Sequence, residues 1–306
     1  MAVIHQEAKR PPVKTSRQGG RSGTSRPGNR DYRQHGLLVR ILRACPVWTI
    51  WAGMALIAAA YIFLFYYFLV SPFSFRWRGI YGNPPYPEGY DIRGIDISHY
   101  QGRIDWERLR NADVNKAPIR FIFIKATEGE ELVDENFGDN FLRSRENCFI
   151  TGAYHFYNAD ADPRRQAEHF IRTVKLSAGD LPPVLDVEKR GGLPLETFRR
   201  NVLTWLRLVE QHYGVKPVIY TGLKFRASYL SHASFDDYPF WIAHYYVEKL
   251  SYTGPWTFWQ HTDGGKVDGI RGKVDLNIYN GSLSELMKIT IPEKQRQHPE
   301  VSYEEN

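Results

Sequence analysis

Cysteine is scarce in this chain of 306 residues, which contains only Cys45 and Cys148. No Cys/His pattern has the spacing of a metal site, so the sequence gives no indication of a bound metal. A long apolar run separates the two thiols. If this run spans a bilayer, the cysteines lie on opposite sides and cannot form a disulfide within the chain. The domain after the run must then be stabilised by its hydrophobic core, as its size permits.

Charged side chains are absent from the run VWTIWAGMALIAAAYIFLFYYFLV. About 20 apolar residues at roughly 1.5 Å rise each span the hydrocarbon core of a bilayer, so we predict a transmembrane helix over residues 46–70. Trp48 and Trp51 at one end, with Tyr66 and Tyr67 toward the other, fit aromatic anchors at the two interfaces. A cleaved signal peptide is the alternative. The long basic leader and the lack of a clear small-x-small cleavage site favour an uncleaved anchor.

Positive charge is concentrated before the apolar run. Residues 1–45 have a net charge of +8, whereas the chain from residue 91 onward has −3. By the positive-inside rule, the N-terminus is expected in the cytoplasm and everything after residue 71 in the periplasm or outside the cell. The Gly/Ser/Arg-rich arm over residues 1–45 is expected to be disordered. Binding of anionic lipid or nucleic acid is an alternative role for it, but a topology determinant is favoured and no nucleic-acid partner is expected.

Short apolar runs alternate with helical patterns after a Pro-, Gly- and aromatic-rich linker over residues 71–90. The runs are nearly continuous in apolar residues, as parallel strands covered on both faces should be. We assign residues 91–290 to one domain and residues 291–306 to a disordered tail. The eight predicted strands are 93–98, 119–127, 149–157, 182–188, 216–222, 239–245, 256–262 and 273–280.

Helical patterns separate the earlier strands. Asp162-Pro163 is typical of a capped helix start, and a second apolar stripe runs from Pro194 to a closing Gly214. A shorter pattern begins at Asp105. Strands and crossovers that alternate over about 200 residues predict an α/β barrel. The later connections are too short for full helices, so the last three strands are expected to be joined by loops or small turns.

Acidic residues stand at the predicted C-terminal ends of the strands, where such barrels hold their working residues. Asp186 and Glu188 occupy alternate positions in PPVLDVE, so both side chains should face the barrel mouth. Asp96 and Asp275, from the first and last strands, are expected beside them. Further residues at these strand ends are candidate substrate contacts: Tyr154, Tyr157, Tyr220, Trp241, Lys125, Gln260 and Asn277. Lys125 could instead pair with a cleft carboxylate, and Gln260 could act as a supporting hydrogen-bond partner.

Four carboxyl groups in a cleft lined by Tyr and Trp favour glycoside hydrolysis. This reaction needs a protonated carboxylic acid to release the leaving oxygen and a carboxylate to stabilise or capture an oxocarbenium-like centre. Crowded carboxylates raise one another's proton affinity, which keeps an acid available near neutral pH. Each position also has a purely structural alternative: Asp96 as a turn cap, Asp186 and Glu188 as ion-pair partners, and Asp275 as a loop stabiliser.

Five motifs occur in order over about residues 91–287: DIRGIDISHYQGRIDW, IKATEG, GAYHFY, PPVLDVE and WQHTDGGKVDGIRGKVDLNIYNG. In these motifs the chain resembles glycoside hydrolase family 25, the Chalaropsis-type lysozymes or N-acetylmuramidases. The resemblance implies an irregular TIM-like (β/α)5(β)3 barrel. It also implies cleavage of the β-1,4 bond between N-acetylmuramic acid and N-acetylglucosamine in peptidoglycan, without a metal or cofactor.

The resemblance also assigns roles to residues. Glu188 resembles the family's general acid, and Asp186, Asp96 and Asp275 match its other active-site carboxylates. Whether a carboxylate or the substrate's own acetamido group attacks the sugar is left open by the sequence. Two other functions remain in competition: a non-catalytic peptidoglycan-binding module of the envelope, and a glycosidase that acts on another amino-sugar polymer.

Overall fold

The computed structural model of the chain describes residues 46–66 and 86–293. These residues fall into two compact units, divided after Phe65, which are described separately. The predicted basic arm, most of the predicted linker and the tail from residue 294 lie outside the described residues.

The described residues of the first unit form one helix, α1, over Val47–Phe65. It has 19 residues and a mean hydropathy of 1.9, and none of it is buried in protein. At about 1.5 Å per residue it is roughly 28 Å long, close to the thickness of a bilayer core. By length and composition, α1 therefore fits a membrane span or a signal sequence. The last four residues of the predicted span lie outside the described residues.

The second unit is built around a closed ring of eight strands. Seven strands run parallel, β10 is antiparallel to both of its neighbours, and pairing of β1 with β3 closes the ring. Each predicted strand overlaps an observed one, and β3 and β9 extend beyond their predicted ranges. The predicted closed α/β sheet is therefore confirmed. The other two strands, β2 and β4, are two residues long and pair with β3. The strands are β1 Arg93–Ile97, β2 Asp113–Val114, β3 Ala117–Glu128, β4 Leu132–Val133, β5 Ile150–Phe156, β6 Val184–Asp186, β7 Val218–Gly222, β8 Phe240–Ala243, β9 Phe258–Gly265 and β10 Val274–Tyr279.

Helices follow the first five strands of the ring, and the described connections between the last three contain no α-helix. Asp162 accepts hydrogen bonds from the backbone N–H groups of Arg164 and Arg165, and Gly214 ends the longest helix of this unit in the left-handed region, at φ 74°. Both ends agree with the predicted signals. The helices are α2 Trp106–Arg110, α3 Phe137–Glu146, α4 Pro163–Thr173, α5 Leu195–Tyr213, α6 Leu223–Tyr229 and α7 Leu283–Lys288.

Aromatic side chains fill the inside of the ring. Phe123 stacks on Trp241 with ring centroids 4.6 Å apart and contacts Phe258 edge to face at 5.1 Å. Two glycines make room for these rings, because a Cβ at Gly94 or Gly152 would lie within 2.6 Å of a phenylalanine ring atom. A cleft lies at the end of the ring where the parallel strands finish.

A segment before β1 covers part of the outer face of the ring. Tyr86 contacts His261 edge to face at 4.9 Å, and the guanidinium of Arg93 lies 4.1 Å from the centroid of the Tyr86 ring. Tyr90 packs on Trp256 and Trp259, with centroids 5.6 and 6.3 Å away. This segment, which the sequence assigns to the linker, takes the place of a helix against strands that have none.

Candidate active site

A cleft of about 360 Å³ opens at the C-terminal ends of the parallel strands. Asp96, Asp186, Glu188 and Asp275 all line it. Strand register explains the convergence: Asp96 lies directly opposite Asp275 on the neighbouring strand, and Asp186 lies beside Tyr220. The structure thus brings together the four carboxyl groups that the strand ends predicted.

One amide connects two of the carboxyl groups. The Nε2 atom of Gln260 donates hydrogen bonds to Oδ2 of Asp96 at 2.7 Å and to Oδ2 of Asp275 at 3.2 Å. On its other side, Oε1 of Gln260 accepts hydrogen bonds from the hydroxyl groups of Tyr220 at 2.6 Å and Tyr245 at 2.7 Å. Gln260 therefore fixes the spacing of Asp96 and Asp275, and it also lines the cleft.

A second amide, that of Asn277, also donates a hydrogen bond to Asp96. The Nδ2 atom of Asn277 donates to Oδ2 of Asp96 at 2.8 Å, while its Oδ1 accepts from Nε1 of Trp241 at 2.9 Å. The indole N–H can only donate, so the orientation of this amide is fixed. Asn277 is 0% exposed and is not a cleft-lining residue. The predicted substrate contact at Asn277 is thus replaced by support of Asp96.

Burial raises the pKa of both Asp96 and Asp275. At Asp96 the hydrogen bonds from Asn277 and Gln260 oppose this effect, because they stabilise the carboxylate. At Asp275, burial and the negative charge of Asp96 both raise the pKa. Asp275 therefore holds its proton more tightly than Asp96, and the pair favours one neutral and one ionised group.

Asp186 and Glu188 differ in their surroundings. Asp186 is buried, and its Oδ1 has no hydrogen-bond partner among the described residues. Its pKa is raised well above the usual value by burial and then by the charges of Glu188 and Asp96. Glu188 is exposed at the cleft surface, and partial burial of its carboxyl group raises its pKa against the opposing charges of Lys189 and Lys125. Burial is thus the leading cause of the raised pKa at both groups, and the charges of neighbouring carboxylates add to it at Asp186.

Lys125 lines the cleft and pairs with a carboxylate. Its Nζ lies 2.6 Å from Oε2 of Glu128 and 5.0 Å from the centroid of the Phe156 ring. The predicted alternative was pairing with a cleft carboxylate, but the observed partner, Glu128, is none of the four cleft acids and does not line the cleft.

Tyr157 lies outside the cleft. Its side chain is 2% exposed in the core between the sheet and the helices. Alternation along β5 is the reason: Tyr154 and Phe156 face the cleft, so His155 and Tyr157 face the other side, where His155 stacks on Trp205 at 5.5 Å. The predicted sugar contact at Tyr157 is therefore wrong, while Tyr154, Tyr220 and Trp241 do line the cleft.

The cleft also contains residues that the sequence did not single out. Tyr100 stands at its edge and is 81% exposed, and its ring is tilted by 36° against the ring of His99 with the centroids 4.1 Å apart. Buried Asp134 accepts hydrogen bonds from the backbone N–H of His99 at 3.0 Å and pairs with its Nδ1 at 2.8 Å. The signal for Tyr100 was its place in DISHYQ, just after a strand end. Among the described residues, no group of three or more His, Cys, Asp or Glu side chains is arranged to hold a metal ion.

The chain is similar in sequence and in structure to known glycosyl hydrolases. The model of the glycosyl hydrolases family 25 matches residues 95–270. Over 201 residues the chain is 47% identical to the uncharacterized protein YegX of Escherichia coli K12, covering 65% of this chain and 74% of that protein. It is 32% identical over 215 residues to lysozyme M1 of Streptomyces globisporus, covering 65% and 71%. The structure of a family 25 glycosyl hydrolase from Bacillus anthracis superimposes with a TM-score of 0.62 at 31% identity, covering 69% of this chain and 98% of that one.

Proposed function

The chain belongs to glycosyl hydrolases family 25, and we propose that it is a membrane-anchored lysozyme. It hydrolyses the β-1,4 bond between N-acetylmuramic acid and N-acetylglucosamine in peptidoglycan. One observation carries the proposal: four carboxyl groups, two of them joined through Gln260, share a cleft edged by tyrosine and tryptophan. Similarity to lysozyme M1 supports the choice of substrate.

Glu188 is the general acid in this proposal. Its carboxyl group is exposed in the cleft and makes no hydrogen bond or ion pair with another described residue, so it is free to approach a substrate oxygen. Its raised pKa keeps more of it protonated than an ordinary glutamate. It donates this proton to the glycosidic oxygen as the bond to C1 of the muramic acid breaks. It then takes a proton from the water that attacks C1.

Asp186 acts on the acetamido group of the muramic acid. The carboxyl group of Asp186, which lines the cleft, accepts the acetamido N–H, and this directs the acetamido oxygen toward C1 as the nucleophile. Positive charge that develops at this centre favours the ionised form of Asp186 and is stabilised by it. Asp96 is the more acidic member of its pair with Asp275, and it adds negative charge to the same cleft.

The helix α1 anchors the enzyme. Its 19 apolar residues suit a bilayer core, and the strongly basic leader favours an N-terminus in the cytoplasm. The catalytic domain then lies on the outer side of the membrane, where peptidoglycan is found.

Digestion of purified sacculi by the full-length chain in detergent tests the proposal. We expect soluble fragments with muramic acid at the new reducing end, and almost none from Glu188→Gln. A new reducing-end glucosamine would contradict the proposed bond. Binding to sacculi without turnover would favour a non-catalytic envelope module. Cleavage restricted to another amino-sugar polymer would move the activity to a different substrate.

A further inference from the structure

A second groove, of about 1060 Å³, lies beside the catalytic cleft. Two loops contribute to both. Gln101 and Lys273 line the cleft, while Arg103 and Arg271, each two residues away in the same loops, line the groove. Nε2 of Gln101 donates a hydrogen bond to the backbone carbonyl of Lys273 at 3.2 Å, which forms a low rim between the cleft and the groove.

Two arginines of the groove have guanidinium groups that form no ion pair within the described ranges. Arg103 and Arg271 are exposed, and neither makes an ion pair with another residue of the described ranges. Two other arginines of the groove differ, because Arg108 lies 3.8 Å from Asp268 and Arg143 lies 3.4 Å from Asp139. An unpaired guanidinium binds a carboxylate through two parallel hydrogen bonds.

Other polar groups complete the lining. Asn140 is 3% exposed, and its side-chain nitrogen finds no acceptor in the part of the chain that the structure describes. The exposed carboxyl group of Glu107 likewise has no ion-pair partner there. Asp105 also lines the groove; its carboxyl group accepts a backbone hydrogen bond from Arg108 and makes no ion pair with another described residue. The groove therefore suits a short peptide that carries both carboxylate and amine groups.

We propose that this groove binds the peptide attached to the muramic acid of the glycan, with Arg103 and Arg271 contacting its carboxylates. The inference rests on the proposed function, and the shared rim makes the groove continuous with a cleft that holds the glycan. It adds a dependence on the peptides of the glycan, which catalysis by the cleft carboxyl groups alone does not require. The enzyme should prefer glycan that still carries its peptides over bare glycan.

The test compares two substrates with matched variants of the full-length chain. One substrate is glycan from sacculi, and the other is the same glycan after an amidase has removed its peptides. For the double variant R103A/R271A we expect kcat/KM to fall about tenfold on peptide-bearing glycan and to stay unchanged on stripped glycan, since two exposed charge-assisted contacts are lost. The control R110A/R120A removes two exposed, unpaired arginines that line neither the cleft nor the groove. It should match the wild type on both substrates. An equal loss on both substrates, or no loss on peptide-bearing glycan, would overturn the inference.

A binding measurement separates this inference from the proposed function. Calorimetry with N-acetylmuramoyl tripeptide and with N-acetylmuramic acid alone needs no turnover. We expect R103A/R271A to weaken binding of the tripeptide compound but not of the bare sugar. If the wild type cleaves neither glycan yet shows this difference in binding, the proposed function fails and the groove assignment stands. Equal binding by wild type and variant would overturn the groove assignment alone.

Discussion

Replacement of Asn277 by alanine should shift the pH dependence of the enzyme. The change removes the hydrogen bond of 2.8 Å from Nδ2 to Asp96. Because this bond stabilises the ionised carboxylate, its loss raises the pKa of Asp96 further above the usual value. A hydrogen bond to a charged group contributes about 1.5–3 kcal/mol, and 1.36 kcal/mol corresponds to one pKa unit. The acid limb of the kcat/KM profile should therefore move upward by about one pH unit or more.

The same change should also lower the stability of the domain. Removal of Oδ1 leaves the N–H of Trp241 without its acceptor at 2.9 Å, inside a closely packed ring. A buried donor left unpaired costs about 1–3 kcal/mol, in addition to the lost bond to Asp96. We expect N277A to melt several degrees below the wild type. Kinetics should thus be measured below the start of unfolding, with circular dichroism at each pH as the check.

The variant Trp241→Phe separates the two effects. It removes the other hydrogen bond of Asn277 but keeps the one to Asp96. It should therefore lower the melting temperature while leaving the acid limb in place. An acid limb that does not move in N277A, or that moves equally in both variants, would refute the idea that Asp96 works as an ionised group tuned by Asn277.

Three further predictions concern the cleft. Glu188→Gln should lower kcat on peptidoglycan by roughly 10²–10⁴ with an unchanged melting curve. An aryl glycoside with a good leaving group should recover most of the rate of this variant. Slow cleavage of both substrates would point to another acid. Asp186→Asn should lose activity but melt about 2–4 °C higher at pH 7. The raised pKa of Asp186 means that its contribution to stability is present at acid pH and lost as pH rises, so a neutral replacement that melts lower would contradict the burial argument. Tyr100→Ala should raise KM on long glycan strands by a larger factor than it lowers kcat, because the exposed ring offers a sugar-stacking face. Tyr100→Phe should restore the wild-type KM. Equal defects in both variants would exclude stacking.

Much of the fold follows from local patterns in the sequence. Apolar runs such as residues 119–127 and 216–222 mark buried parallel strands, and capping signals such as Asp162 mark where helices begin. No local pattern marks the helix α3, because its buried apolar side chains are Phe137 and Phe141 alone, too few to show a helical stripe. The helix α6 follows its strand without any intervening residue, so no loop signal marks its start.

The candidate site was predicted as far as alternation along single strands allows. Asp186 and Glu188 share a face because they stand two positions apart, and both line the cleft. The same alternation places Tyr157 on the wrong side once Tyr154 faces the cleft. A strict reading of the two-residue period would have selected Phe156 instead. The two-residue period along β5 is thus enough to exclude Tyr157 from the cleft.

The hydrogen-bond network around Gln260 is different, because it depends on how strands pair. Between β9 and β10 the register shifts twice, on either side of Leu276, and these irregularities bring Asn277 opposite Gln260. Bulges of this kind redirect side chains near active sites, and no local pattern in VDLNIY signals them. In β9, Gln260 lies between Trp259 and His261, which face outward and are covered by Tyr90 and Tyr86. Side chains far apart in sequence thus hold both faces of the strand that supports Asp96 and Asp275, so the spacing of these acids is a property of the closed ring.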